Sequence, residues 1–289
     1  MKRILNIHIL SLVAIFFFSA SSAFAQINVE ELLLRYENGK YGFVNKNGNV
    51  VVPVKYDHID YYKEGCAIVE LDNKFGFIDR LGKEIVAPQY DNAEEFSEGL
   101  ACVESNGKYG FIDNKGQLVV PLLYDDASSF YEGLACVSLN GKYGFIDNAG
   151  NVAIPFQFDK CFSFFEGLAE AQLNGKWGFI DRRGDMVILF KYDYVDHFRN
   201  GRAWVKIADK VGYIDRAGNE VVPLIYSHGG IFSEGLAWVC SNGKYGYIDK
   251  NGKVVIPFIY DEAHSFNNGK AFVKQGGEVF IIDKEGKRF

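Results

Sequence analysis

One spacing constrains this chain more than anything else in it: an aromatic–glycine pair returns every 34 residues without insertion. It stands at Tyr41-Gly42, Phe75-Gly76, Tyr109-Gly110, Tyr143-Gly144, Trp177-Gly178 and Tyr245-Gly246, with Val211-Gly212 in the gap and Val279 in the eighth place. With the aromatic as offset 0, glycine recurs at offset 7 in all eight copies, Gly48 to Gly286, and at offset 24 in all seven available places, Gly65 to Gly269. Alanine follows the second glycine two residues later each time, from Ala67 to Ala271. A fixed period of this length marks stacked supersecondary units, none of which can bury its own apolar face alone. The fold class then depends on what one unit forms.

Each unit reads as strands. Leu134 to Ser138 and Lys142 to Asp147 flank Asn140-Gly141, and Asn-Gly between two such segments is a strong hairpin signal, because a type I′ turn needs positive φ at both central residues. Five copies keep Asn-Gly, which fixes the register each time. The next turn, Asp147-Asn148-Ala149-Gly150, starts with a side chain able to accept backbone N–H bonds and ends with a residue that tolerates the left-handed region. A third strand follows at Val152-Ala153-Ile154; Pro155 cannot donate to a ladder, so it should end that strand or sit on a sheet edge. The expectation is an all-β protein of tandem three-stranded antiparallel meanders.

In the segment linking one unit to the next, aromatics recur at offset 15 (Tyr56, Tyr90, Tyr124, Tyr192, Tyr226, Tyr260) and offset 21 (Phe96, Phe130, Phe198, Phe232, Phe266). Burying one is worth roughly 2–3 kcal/mol, and a lone three-stranded unit has little other core. They are expected to wedge between neighbouring units. Because the first unit opens on its first strand, Leu32 to Tyr36, and the last stops inside its third, strand exchange cannot seal a ring. An open, twisted, superhelical array is favoured over a closed propeller.

Gly-Lys-Trp-Gly-Phe-Ile-Asp at 175–181, its Tyr and Phe variants, and the upstream Phe-x-Glu-Gly-Leu-Ala carry a resemblance to the bacterial WG (also called KWG) repeat family. It runs from about Leu32 to Phe289, although Trp stands at offset 0 only in Trp177. The family is defined by its repeat and not by a reaction. The resemblance implies a β-rich, propeller-like or superhelical array with an interaction role, and it carries over no catalytic residue.

The N-terminus reads as a secretory signal: Lys2 and Arg3, an apolar run from Ile4 to Phe18, then Ala23-Phe24-Ala25 before Gln26. Residues 1–25 are expected to be removed, leaving one repeat domain at 26–289 with no further membrane span and a periplasmic or extracellular location. Losing Lys2 and Arg3 takes the formal charge from −6 to −8, and so acidic a chain is a poor partner for nucleic acid. Cys66, Cys102, Cys136, Cys161 and Cys240 are odd in number and scattered, so they read as small apolar side chains and not as a disulfide framework.

No nucleophile elbow, phosphate loop or paired metal motif occurs. His58, His197, His228 and His264 fall in the linking segment, repeats apart, and read as polar loop residues. Asp57, Asp91, Asp125, Asp159, Asp193 and Asp261 form a ladder at offset 16, better suited to local backbone bonding than to a calcium site. Arg183-Gly184-Asp185 is a turn whose glycine is the offset-7 glycine. The chain is therefore expected to be no enzyme, with no cofactor and no metal site.

Two functions remain: an exported module binding a protein, peptide or glycan, or a passive envelope spacer. The candidate binding residues lie where the repeat varies. In the strand after the offset-24 glycine, Ala and Val at offsets 26 and 28 form one face, which should be core. The other face changes from copy to copy, and three successive copies place an aromatic at offset 27: Trp204 between Arg202 and Lys206, then Trp238, then Phe272 between Lys270 and Lys274. Aligned in a row, they would offer a platform for a sugar ring or an acidic polymer.

Overall fold

The computed structural model describes residues 32–289; the expected signal segment, 1–25, lies outside the described residues. The chain divides into two compact units, Met1–Glu95 with Asn114–Gly116, and Phe96–Asp113 with Gln117–Phe289. The described residues of each are built of strands and turns, and contain no helix long and apolar enough to cross a membrane.

Each repeat becomes one small antiparallel sheet in sequential order. In the sheet made of Asp126–Ala127, Leu134–Leu139, Lys142–Asp147 and Val152–Phe158, the last three strands are those expected. The first is an addition. Two residues of the linking segment pair with Val137 and Ser138, and backbone bonds from Asp125 N–H to Ser138 and from Ser128 N–H to Cys136 extend the pairing. A strand this short has no alternation for sequence to reveal. Most sheets therefore have four strands; those at Leu33–Tyr56 and Glu262–Ile282 have three.

Of the two readings of the proline, the edge holds and the stop does not: Val152–Phe158 is the outer strand of its sheet. Pro155 lies inside the strand Val152–Phe158, because pairing slips there: Phe145 faces Ile154 and Tyr143 faces Phe158, with register shifts around Gly144. A bulge is one of the few places in a sheet where a missing donor costs nothing. At the bulge the strands approach so closely that a Cβ on Gly144 would lie 2.6 Å from the Ile154 carbonyl oxygen. The turns follow the sequence reading. Asn140 and Gly141 have φ of 54° and 76°, and Asp147 Oδ1 accepts the N–H groups of Ala149 and Asn151 at 3.0 and 2.8 Å.

The core lies between consecutive sheets. Within the second unit, Cys136, Phe145, Ile154 and Phe158 of one sheet pack against Cys161, Phe164, Ala169, Ala171 and Ile180 of the next. The Phe145 and Phe164 rings are 4.8 Å apart, and the offset-15 and offset-21 aromatics are buried, as their regular recurrence suggested, apart from the half-buried Tyr62 at offset 21 of the first repeat. The aspartate ladder holds local structure: Asp159 accepts Lys142 Nζ at 2.7 Å and the Gly175 N–H at 3.0 Å. Asp57, Asp125, Asp193 and Asp261 repeat the pattern with Lys40, Lys108, Lys176 and Lys244.

The cysteine reading needs correction. Cys136 and Cys161 form a disulfide, while Cys66, Cys102 and Cys240 are buried and not disulfide-bonded. Spacing could not show the pair because its two positions meet only after sheets stack: Cys136 is at offset 27 of one repeat and Cys161 at offset 18 of the next.

Candidate functional site

Offset 27 is where one sheet meets the linking segment of the following one. The strand pattern that buries Ala169 and Ala171 turns Glu170 to the opposite face, and that face is covered by the short strand Tyr194–Val195 and the residues after it. One interface places a disulfide here; the next places Glu170 beside Asp196 and His197. The Glu170 side chain is only 4% exposed, and its Oε2 has no hydrogen-bond partner. Desolvation, opposed by a bond from its own backbone N–H and reinforced by the Asp196 charge, pushes the carboxyl up to about 8.

His197 orders the other side. Its Nδ1 lies 2.8 Å from Asp196 Oδ1 and 3.9 Å from Glu170 Oε1, and Arg199 Nε donates to its Nε2 at 2.6 Å. With Nε2 accepting, the proton of a neutral ring sits on Nδ1, facing Asp196. The remaining Asp196 oxygen, Oδ2, accepts Trp204 Nε1–H at 2.9 Å. One ligand atom each from Glu170, Asp196 and His197 falls within 4.8 Å of the others.

This cluster borders an open pocket of about 270 Å³ lined by Phe162, Ser163, Phe165, Glu170, Tyr194, Val195, Asp196 and His197. Its aromatic wall continues outward: Phe162 stacks on Trp177 with ring centroids 5.4 Å apart, and Tyr194 stacks on Trp204 at 5.1 Å. Phe162 and Tyr194 remain about half exposed, at 52% and 48%.

Of the binding residues proposed from sequence, only Trp204 reaches this site. Its ring neighbour is Tyr194, whereas that of Trp238 is Tyr245, 5.7 Å away in its own sheet; both tryptophans are half-buried against core clusters. Phe272 is 57% exposed. Arg202 donates to the carbonyls of Lys250 and Gly201, Lys206 pairs in the strand opposite Val211, Lys270 lies 4.8 Å over the Phe289 ring, and Lys274 pairs with Glu262 at 2.8 Å. Sequence reading passed over Glu170 and Asp196, and took His197 for a polar loop residue. The signal was present in one respect: Glu170 is the one carboxylate in an offset-27 series otherwise made of Ile68, Cys102, Cys136, Trp204, Trp238 and Phe272.

An all-β chain of tandem sheets, each repeat contributing one sheet and packing through offsets 15, 21 and 27, defines a β-repeat protein. Family comparison makes the class specific: the WG-containing repeat model matches at 41–75, 75–109, 109–143, 143–177, 177–210, 212–245 and 245–278, and the chain belongs to that family. A comparison with curated proteins returns no match. Among solved structures, the chain is similar to a eukaryotic initiation factor, with 11% identity, a TM-score of 0.55, and coverage of 96% of this chain and 88% of that one. A dihydro-heme d1 dehydrogenase, NirN in complex with DHE, follows at 12% identity and TM-score 0.44, covering 94% and 75% of the two chains. At 11% identity the likeness to the initiation factor is one of fold.

Proposed function

We propose that this protein is an exported binding module, working in the periplasm or outside the cell, which engages a protein, peptide or glycan through its irregular inter-sheet surface. The observation that carries the reading is the pocket between Phe162 and His197. The repeat frame is kept on both sides of it, yet a buried carboxylate with an unpartnered oxygen replaces an apolar residue at its base. A passive spacer gains nothing from this arrangement, since a buried unpaired polar atom costs stability. Ligand pockets typically span about 300–1,000 Å³; a cavity at the lower end suits one side chain or sugar substituent, with Phe162 and Tyr194 as the outer contact. Trp204 supports the pocket from behind, and Phe272 with Lys270 and Lys274 is a second proposed contact area.

The test is capture of partners from envelope and extracellular fractions by the purified protein and by a Phe162→Ala, Tyr194→Ala variant that keeps its urea midpoint. A partner retained by the first and lost by the second supports the reading. Identical capture by both, or loss of function in simple proportion to chain length on truncation, returns the spacer.

A further inference from the structure

We propose that Glu170, Asp196 and His197 hold a divalent transition-metal ion of the zinc class at the base of the pocket. The inference rests on the reading of that pocket as a binding site and adds the class of ligand. Three observations lead to it. The donor set is one imidazole nitrogen and two carboxylates, which suits zinc and its neighbours better than calcium or magnesium, whose ligands are all oxygen. The donor atoms already converge: two ligands about 2.0–2.1 Å from a tetrahedral zinc ion lie about 3.3 Å apart, and the separations from His197 Nδ1 to Asp196 Oδ1 and Glu170 Oε1, 2.8 and 3.9 Å, bracket that value. Finally, the Glu170 side chain is 96% buried by its 4% exposure, and Oε2 has no partner in the protein. A buried carboxylate is expensive unless paired; a dication between two carboxylates brings the local charge to zero. Three protein ligands leave the fourth position facing the pocket, the arrangement of sites that accept an exogenous donor.

The surroundings dictate one rearrangement. His197 must offer Nδ1 as a bare lone pair, so the ring has to carry its one proton on Nε2. There it meets Arg199 Nε–H, a second donor, and Arg199 has to withdraw. It is exposed and free to do so. Trp204 Nε1–H then serves as the outer hydrogen bond that orients the Asp196 carboxylate, a role such donors commonly play around metal ligands.

The experiment titrates the untagged, chelator-stripped protein with Zn²⁺ by calorimetry and with Co²⁺ by visible absorption. One ion per chain is expected, with imidazole–carboxylate and not thiolate features in the cobalt spectrum, because Cys66, Cys102 and Cys240 are buried. Glu170→Gln and His197→Ala should each weaken uptake by more than the roughly 10–100-fold typical of outer-shell changes. Arg199→Ala should bind no more weakly than the parent. Glu170→Gln places a neutral isostere in a dry site and should leave the urea midpoint at or above the parent value, which separates lost ligation from lost folding. Absence of stoichiometric Zn²⁺ or Co²⁺ uptake at millimolar metal, or uptake that Glu170→Gln leaves unchanged, overturns the proposal. So does binding of butylammonium in place of either metal, which would assign the pocket to an organic cation. Partner capture that survives without metal uptake refutes the metal alone; metal uptake without partner capture refutes the interaction reading alone.

Discussion

Cys136 is disulfide-bonded to Cys161, and the bond ties the second strand of one sheet to the short first strand of the next. The pair closes a loop of 25 residues, for which loop-closure entropy gives about 3.5 kcal/mol of stabilisation. Reduction should lower the urea unfolding free energy by about that amount. Because repeat stability is a sum of units and nearest-neighbour interfaces, the loss should be local. Hydrogen exchange is expected to rise across residues 126–192 and to change little near 254–282.

A second link between sheets is carried by glutamates at offset 23. Glu166 accepts the N–H groups of Asn200 and Gly201 at 2.8 and 3.1 Å, and Glu98, Glu132 and Glu234 accept those of Gly133, Gly167 and Gly269. Asn200 and Gly201 both have positive φ, 53° and 72°, which turns successive N–H groups towards one concave side, a nest for an anion. Glu166→Ala should cost about 0.5–1.5 kcal/mol, the net worth of an ordinary hydrogen bond. Glu132→Ala should cost about the same, and the double variant should show the sum within about 0.5 kcal/mol, since the two carboxylates serve different turns. Chemical denaturation of the three variants checks it.

Local chemistry was legible in the sequence, and contacts between repeats were legible only where they recur. The Asn-Gly and Asp-x-x-Gly turns, the register and the wedging aromatics follow from residue identity and period, so they could be read from one copy and checked against the rest. The short first strand could not, because two residues such as Asp126 and Ala127 carry no periodicity. Proline at 155 was legible as an edge residue, but the strand runs on past it because the rule that proline ends a strand applies to a regular ladder, and this strand is bulged. Cys136–Cys161 and Glu170–His197 escaped for a shared reason: each is a departure from the repeat that matters through its partner one repeat later, and sequence alone did not reveal that offset 27 faces offsets 18 to 20 of the following copy. Trp204 stands beside Tyr194 and Asp196, neighbours that the offset-27 series alone does not show.

The lysine–aspartate ladder gives a pH signature. In Asp57, Asp125, Asp159, Asp193 and Asp261 the bond from lysine, and after it a backbone N–H, holds the carboxyl below the ordinary value. A depressed folded-state pKa contributes stability that is present in full above the unfolded value, about 3.9, and is lost as pH falls through the folded one. Stability should therefore decline below about pH 4. Asp159→Asn should be less stable than the parent at neutral pH, and the difference in urea midpoint between them should shrink steadily on acidification from pH 5 towards pH 2, roughly the range over which such carboxylates titrate. A difference that stays constant over that range would mean that the carboxylate charge contributes nothing.

The most severe single substitution expected in the frame is Gly144→Val. The residue is at the bulge, and its backbone is not in the left-handed region, so conformation is no obstacle. Space is. A Cβ there would stand 2.6 Å from the Ile154 carbonyl oxygen, 2.9 Å from the Pro155 carbonyl carbon and 3.0 Å from Phe156 N, all backbone atoms of the paired strand. A side-chain neighbour could rotate away, but a strand can yield only by breaking register, and here Phe145 and Ile154 are both fully buried. Overpacking of a core typically costs about 1–3 kcal/mol and occasionally more; with backbone as the obstacle the cost should reach about 3 kcal/mol or above. Gly144→Ala meets the same atoms and should lose most of that, which distinguishes a clash at Cβ from a penalty for branching. Urea denaturation of both variants is the measurement. A cost for Ala below about 1 kcal/mol would show that the bulge can open, and would remove the reason that glycine follows the aromatic at this offset.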